Sequence, residues 1–306
     1  MTPEPILDVV HSTVGTDMPR GACDCHVHVF GPRKQFPLWN GRSYTPPPAP
    51  VEALAAHQAA LNLDRVIVVQ PSIYGTDNTC TLDAIRMMGP GARGVAVVDR
   101  HASPKGMEEL ASGGIVGIRL NLAAGSVSEL DRIRDDVRWA FALTEKLGWH
   151  VQIFTELGII AALEAELKQA PVPVVIDHFG RADADRGLDQ PGLDTLISLV
   201  SSEKVYVKLS APYLVSADPQ STAVGHLVRA FVKANPDRLL WGSNWPHPGG
   251  GTGASSPHGV TPFRPVDDAK ALDRIAAWVD SSDALRSILV RNPAKLFGFA
   301  DEDGLK

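Results

Sequence analysis

Short runs rich in valine and isoleucine alternate eight times with segments of helical periodicity, and no other feature restricts the fold as much. Strands are read at 22–29, 65–70, 94–99, 117–121, 150–154, 173–177, 205–209 and 238–241. Helices are read between them at 51–62, 78–88, 104–112, 129–147, 157–168, 193–202 and 222–235, with closing helices at 267–280 and 283–291. Nearly continuous apolar strands separated by helices indicate a parallel sheet covered on both faces. Eight such units in 306 residues predict an α/β fold, a (β/α)8 TIM barrel. The rival is an open doubly wound sheet, which favours Gly-x-Gly-x-x-Gly after its first strand. Here Phe30-Gly31-Pro32 leads into a loop instead. The expected layout is an N-terminal arm at 1–20, one barrel domain at 21–300 and a tail at 301–306. Two long loops, at 31–50 after strand one and at 248–266 after strand eight, are placed to form a wall or lid.

Charge and composition narrow the function. A formal net charge of -6 and the lack of a basic run argue against nucleic-acid binding. No apolar run approaches the about 20 residues needed to span a bilayer, and the first 20 residues lack the pattern of a signal peptide. Three cysteines make a disulfide framework improbable, so a reducing cytoplasm is expected. Cys23 and Cys25 read as buried packing.

Chemistry in a barrel gathers at the carboxyl ends of the strands. His26 and His28 lie two apart on strand one, so they point the same way and suit a metal or a polar substrate. Strand two ends in Gln70, Ser72, Tyr74, Thr76, Asp77 and Asn78, and strand three in Asp99. Strand four carries Arg119 and Asn121, and strand five Gln152, Phe154 and Glu156. Strand six ends Asp177-His178-Phe179-Gly180-Arg181. Strand seven carries Lys208, Ser210 and Tyr213, and strand eight leads into Asn244 and His247. Two arginines in a barrel mouth need an anion: a substrate carboxylate, or a nearby acid such as Asp77, Asp99 or Asp177.

These motifs resemble a known family. His-x-His on strand one, Gly-Ile-Arg on strand four, Ile-Asp-His-x-Gly-Arg on strand six and Trp-Gly-Ser-Asn-Trp-Pro-His after strand eight are similar to the amidohydrolase superfamily. Within it they resemble the branch of 2-pyrone-4,6-dicarboxylate lactonase, 4-sulfomuconolactone hydrolase and D-galactarolactone isomerase. The resemblance runs from about Pro19 to Phe297. It implies that His26, His28 and His178 face the reacting centre, and are the metal ligands if a metal is bound. It implies that Arg119 and Arg181 hold a substrate carboxylate, that Ser72 and Tyr74 line the pocket, and that Phe154 packs on the ring. Two departures stand out. The lactonase pattern has an aspartate at the position of Asn244, and an amide cannot accept a proton from water. The lactonase's anion-binding arginine after strand seven has no counterpart in Ser210-Ala211-Pro212-Tyr213-Leu214. A lactone with fewer charges than a pyrone dicarboxylate is therefore expected.

The expected function is hydrolysis of a small lactone bearing a carboxylate, the partner being that small molecule. Arg119, Arg181, Tyr213 and His247 hold the substrate, and His258 and Arg264 reach it from the last loop. The catalytic set is His26, His28, His178 and Asn244, with Asn244 orienting water while His247 or a neighbouring histidine takes the proton. No obligatory metal is expected; otherwise one divalent ion, Zn2+ foremost, is held by His26, His28 and His178. A monomer or homodimer fits. The sequence leaves open a lactone isomerase, a non-catalytic carboxylate binder, and an Asn244 that is either native or an inactivating replacement.

Overall fold

The computed structural model describes residues 12–122, 129–249 and 259–300. The first part of the expected arm, the tail, the middle of the last loop and His258 lie outside the described residues. Eight parallel strands run in sequence order: β1 Cys23–Val27, β2 Arg65–Val69, β3 Ala92–Ala96, β4 Ile115–Asn121, β5 His150–Phe154, β6 Val174–Ile176, β7 Val205–Ser210 and β8 Leu239–Gly242. Around them lie α1 Val51–Ala60, α2 Thr79–Met88, α3 Pro104–Ser112, α4 Leu130–Leu147, α5 Leu157–Ala162, α6 Glu164–Lys168, α7 Leu193–Ser201, α8 Thr222–Ala234 and α9 Asp268–Val279. The chain closes with α10 Ser282–Arg286, one π turn at Ser287–Arg291 and α11 Asn292–Phe297. Among the described residues no helix is long and apolar enough to cross a membrane.

The helices bury one face at helical spacing. In α4 that face is Ile133, Val137, Ala140, Phe141 and Thr144, and Gly148 ends the helix in a left-handed turn. In α8 it is Val224, Gly225, Leu227, Val228 and Phe231. A Cβ at Gly225 would stand 2.6 Å from the Trp278 ring, so the glycine lets α8 and α9 approach. Cys23 and Cys25 are buried against Ile67, Val69, Val95, Val175 and Leu240, with Phe297 in the same cluster.

Most ends shift by one or two residues, and three spans differ from the expectation for a structural reason. The third strand begins at Ala92 and stops at Ala96, because the Asn78 side chain takes both the Val97 carbonyl and the Val97 N–H out of the ladder. The helix read at 157–168 is two pieces, broken at Leu163. Glu166 in the second piece pairs with Arg134 and Arg138 of α4, at 3.3 and 3.1 Å. The last helix, read at 283–291, starts at Ser282 and passes through the π turn into α11. There Asn292 donates to the carbonyls of Pro236 and Leu239.

The seam between β8 and β1 is held by the residues that carry the candidate site. Asn244 donates its backbone N–H to the His26 carbonyl and His28 donates its own to the Trp245 carbonyl, each at 2.8 Å. Asp24, fully buried, accepts from the backbone N–H groups of His26 and Ser243 at 3.0 Å and from the Ser243 hydroxyl at 2.5 Å. Above the mouth the two long loops meet: Thr261 donates to the Thr45 carbonyl, and Phe263 stacks on Phe30 with ring centres 5.7 Å apart.

Replacing Asp24 with alanine leaves these buried donors without an acceptor. Asp24→Ala is expected to lower unfolding free energy by about 3 kcal/mol or more, read from urea denaturation.

Candidate active site

The site begins with the pleat of β1. His26 and His28 converge, with Nε2 atoms 3.3 Å apart. His28 donates Nδ1–H to the Val69 carbonyl at 2.8 Å, which leaves its Nε2 lone pair facing His26. His26 therefore donates from Nε2, and its bare Nδ1 faces the Lys208 ammonium at 3.3 Å. His178 joins from the end of β6, its ring centre 4.6 Å from that of His26. Its Nδ1 lies 2.8 Å from the Ser210 hydroxyl.

Asp177 holds this group together. Its Oδ2 accepts from Arg119 Nε at 2.9 Å and from Gln152 at 3.0 Å. Its Oδ1 lies 3.3 Å from His26 Nδ1 and 3.7 Å from Lys208 Nζ, and has no aligned hydrogen bond among the described residues. Lys208, fully buried, also donates to Gln152 at 2.7 Å. Two cations thus share one carboxylate. Burial works to raise the Asp177 carboxyl, but the Arg119 and Lys208 cations hold it well below its ordinary range. Burial, helped by these cations, pushes His28 and His178 down to about 3 and His26 well below its ordinary value. The three rings are neutral at pH 7.

Of the expected residues, Arg119, Phe154 and the three histidines come together. The Phe154 ring centre is 5.4 Å from that of His178, with the guanidinium groups of Arg119 and Arg181 at 5.0 and 5.6 Å. Arg119 takes Asp177 as its acid, while Asp77 caps α2 through Thr79 and Asp99 accepts from the His101 N–H. Arg181 is one-third exposed and stands 3.7 Å from Glu156. Tyr44 of the first long loop, a residue without a strand-end signature, is buried beside Ser72, and burial pushes its hydroxyl up to about 12. Tyr74 accepts from the Gly31 N–H at 3.1 Å, so its hydroxyl braces that loop. Tyr213, Asn244 and His247 form a second group: Asn244 Nδ2 donates to the Tyr213 hydroxyl at 2.8 Å, which lies 3.3 Å from His247 Nδ1. Arg264 lies over the Tyr213 ring at 5.2 Å.

Asp177 was expected only as one possible acid partner of the arginines, and Lys208 and Gln152, at strand ends in the sequence, carried no expected role. A lysine at an inward position of the otherwise apolar run Val205–Ser210 was the available signal. His57 and Asp268, which back the second group, had none, because they come from helices far apart in the chain.

The backbone aims these side chains. His178, Phe179, Arg181, Ala211, Asn244 and His247 all have φ between 49° and 67°, a left-handed conformation that costs about 1 kcal/mol or more per non-glycine residue. The strain falls just after β6, β7 and β8.

The donors fit a single divalent metal. Two nitrogens bound tetrahedrally at zinc distances stand about 3.3 Å apart, the separation of the His26 and His28 Nε2 atoms. His26, Asp177 and His178 each offer an atom within 4.8 Å of the others. In that group Asp177 stands in place of His28, which the sequence had expected as the third ligand.

The sequence profile of the family described as Amidohydrolase matches residues 23–299. The chain belongs to the amidohydrolase family. It is 33% identical over 286 residues to the 4-sulfomuconolactone hydrolase of Hydrogenophaga intermedia, covering 92% of this chain and 90% of that protein. It is 32% identical over 290 residues to the 2-pyrone-4,6-dicarboxylate hydrolase of Comamonas testosteroni, covering 92% and 91%. Among solved amidohydrolase barrels, it superposes on an Acinetobacter baumannii protein assigned as a 2-pyrone-4,6-dicarboxylic acid hydrolase, with citric acid bound. That match has a TM-score of 0.74 and 28% identity, and covers 91% and 100% of the two chains.

Neutral buried histidines tie stability to pH. An unfolded chain takes up protons at these rings below about 6.5, whereas folded His28 and His178 stay neutral down to about 3. Their contribution is complete above the unfolded value and is lost as pH falls from about 6.5 towards about 3. Urea midpoints are expected to drop through that window, with a shallower slope in His28→Gln.

Proposed function

We propose that the chain hydrolyses the ring ester of a small lactone that carries a carboxylate. The observation that supports this best is Arg119. Its Nε is held by Asp177, and among the described residues its terminal nitrogens have no hydrogen-bond partner, beside three neutral histidines. A guanidinium held at one edge presents the other to a carboxylate in bidentate fashion. Arg119 and Lys208 carry two positive charges against the one of Asp177, so an anion completes the balance. The two relatives' names denote lactone hydrolases, and the citric acid of the structural neighbour is a polycarboxylic acid.

In this reading Arg119 and Arg181 fix the acid group and Phe154 packs against the ring. Ser72 and Tyr74 belong to the pocket wall, Ser72 through Tyr44 and Tyr74 through the first long loop. The oxyanion donor is His178. Both nitrogens of His26 and of His28 are engaged, whereas Nε2 of His178 has no hydrogen-bond partner among the described residues. Ser210 donating to Nδ1 places the His178 proton on Nε2, where it meets the developing charge. Asn244 Oδ1 is buried and unpartnered among the described residues, and it orients the attacking water.

If a metal binds, His26, Asp177 and His178 would hold it, with His28 beside His26, and it would polarise the lactone carbonyl. We take it as not obligatory, because Lys208 and Arg119 already neutralise Asp177.

A pH-indicator screen of carboxylated lactones tests the proposal. Acid release is expected, dialysis against a chelator leaves it intact, and Arg119→Met lowers kcat/KM by about 100-fold. A product formed without acid release would instead make the chain an isomerase. Ligand binding without turnover would make it a carboxylate binder.

A further inference from the structure

Asn244 orients water but cannot keep its proton. The proton acceptor therefore lies elsewhere, and the side chain bonded to Asn244 shows where. Asn244 Nδ2 donates to the Tyr213 hydroxyl at 2.8 Å. That hydroxyl lies 3.3 Å from His247 Nδ1, and His247 Nε2 lies 2.8 Å from Asp268 Oδ2. Asp268 is 1% exposed and His247 4%. A buried carboxylate takes the imidazole N–H, so the His247 proton sits on Nε2 and Nδ1 is bare. The Tyr213 hydroxyl must then donate to Nδ1. Of its two lone pairs, one accepts from Asn244 and the other faces no hydrogen-bond donor among the described residues.

We infer that Tyr213, His247 and Asp268 form a proton relay that replaces the carboxylate absent at position 244. The two departures from the lactonase pattern are then one change. Tyr213, from the segment that lacks the family arginine, bonds directly to Asn244, which stands where the resemblance expects an acid. The inference rests on the hydrolytic reading. As the water oxygen bonds to the lactone carbonyl carbon, a water proton passes to the Tyr213 oxygen. The Tyr213 proton passes to His247 Nδ1, and the imidazolium is stabilised by Asp268. When the ring C–O bond breaks, the departing oxygen takes that proton back by the same route, giving a hydroxy acid. Tyr213 is the catalytic residue; His247 and Asp268 act through it. Burial pushes the Tyr213 hydroxyl above its ordinary range, which suits a shuttle that stays neutral between transfers. Behind Asp268, His57 stands 3.7 Å away and also meets Asp24 at 3.4 Å. The groups facing His247 are thus Asp268 from α9, Tyr213 after β7, and Arg264, whose N–H bonds the His247 carbonyl, with His57 and Asp24 behind.

The test compares Tyr213→Phe, His247→Gln and Asp268→Asn in the native chain and in Asn244→Asp. In the native chain each is expected to lower kcat by about 10²–10⁴-fold with little change in KM. With aspartate at 244 the same substitutions cost less than about tenfold, because the carboxylate takes the proton. The acidic limb of the kcat profile also moves lower in Asn244→Asp, as a carboxylate replaces an imidazole. Equal losses in both backgrounds, or no loss in either, would overturn the relay. If the native chain opens no lactone, the hydrolytic reading has failed on its own. The relay is then judged by nitrogen NMR of His247, expected to show protonated Nε2, bare Nδ1, and an Nδ1 shift in Tyr213→Phe. Protonation at Nδ1 would overturn it.

Discussion

One buried carboxylate, Asp177, sets the electrostatics of the barrel mouth. It accepts from Arg119 and Gln152 and faces Lys208 and His26. A lysine and an arginine at these depths are tolerable only with a counter-charge. Burial, helped by these cations, keeps the three histidines neutral, and one positive charge remains in excess beside the pocket. Without Asp177, the same positions would repel each other and draw water into the barrel.

The second constraint is mechanical. The barrel closes between β8 and β1 through Asp24, Ser243 and the backbone of His26, His28 and Asn244. Stability and site geometry are therefore coupled there, because the peptide groups that complete the sheet belong to residues of the candidate site. The left-handed turns after β6, β7 and β8 are carried mainly by non-glycine residues. They hold because a closed sheet, fixed at both ends of each turn, determines the path of the chain.

Much of the fold was legible in the sequence, because strand and helix signals are local. Apolar runs and helical spacing located all eight units, and β5 and α3 matched to the residue. Reading failed where a side chain from another element intervened. Asn78 ended β3 early, and the pull of Glu166 towards α4 accompanies the break at Leu163. The candidate site was legible as types and strand ends: three histidines, two arginines and an unexpected asparagine. Which of three candidate acids pairs with Arg119 was not, nor was the contact of Asp24 with Ser243, since these partners are 58 and 219 positions apart.

The sequence by itself determined the eightfold alternation, the face on which His26 and His28 converge, and the absence of a proton acceptor at position 244. These follow from the period of a strand, the period of a helix and the chemistry of an amide, none of which needs a distant neighbour. Only the tertiary structure decided that Arg119 shares Asp177 with Lys208, and that Tyr213 bonds to Asn244 with His247 and Asp268 behind it. Those pairings depend on the curvature of the barrel and the packing of α9 against it, which bring the ends of β4, β6, β7 and β8 and the start of α9 together.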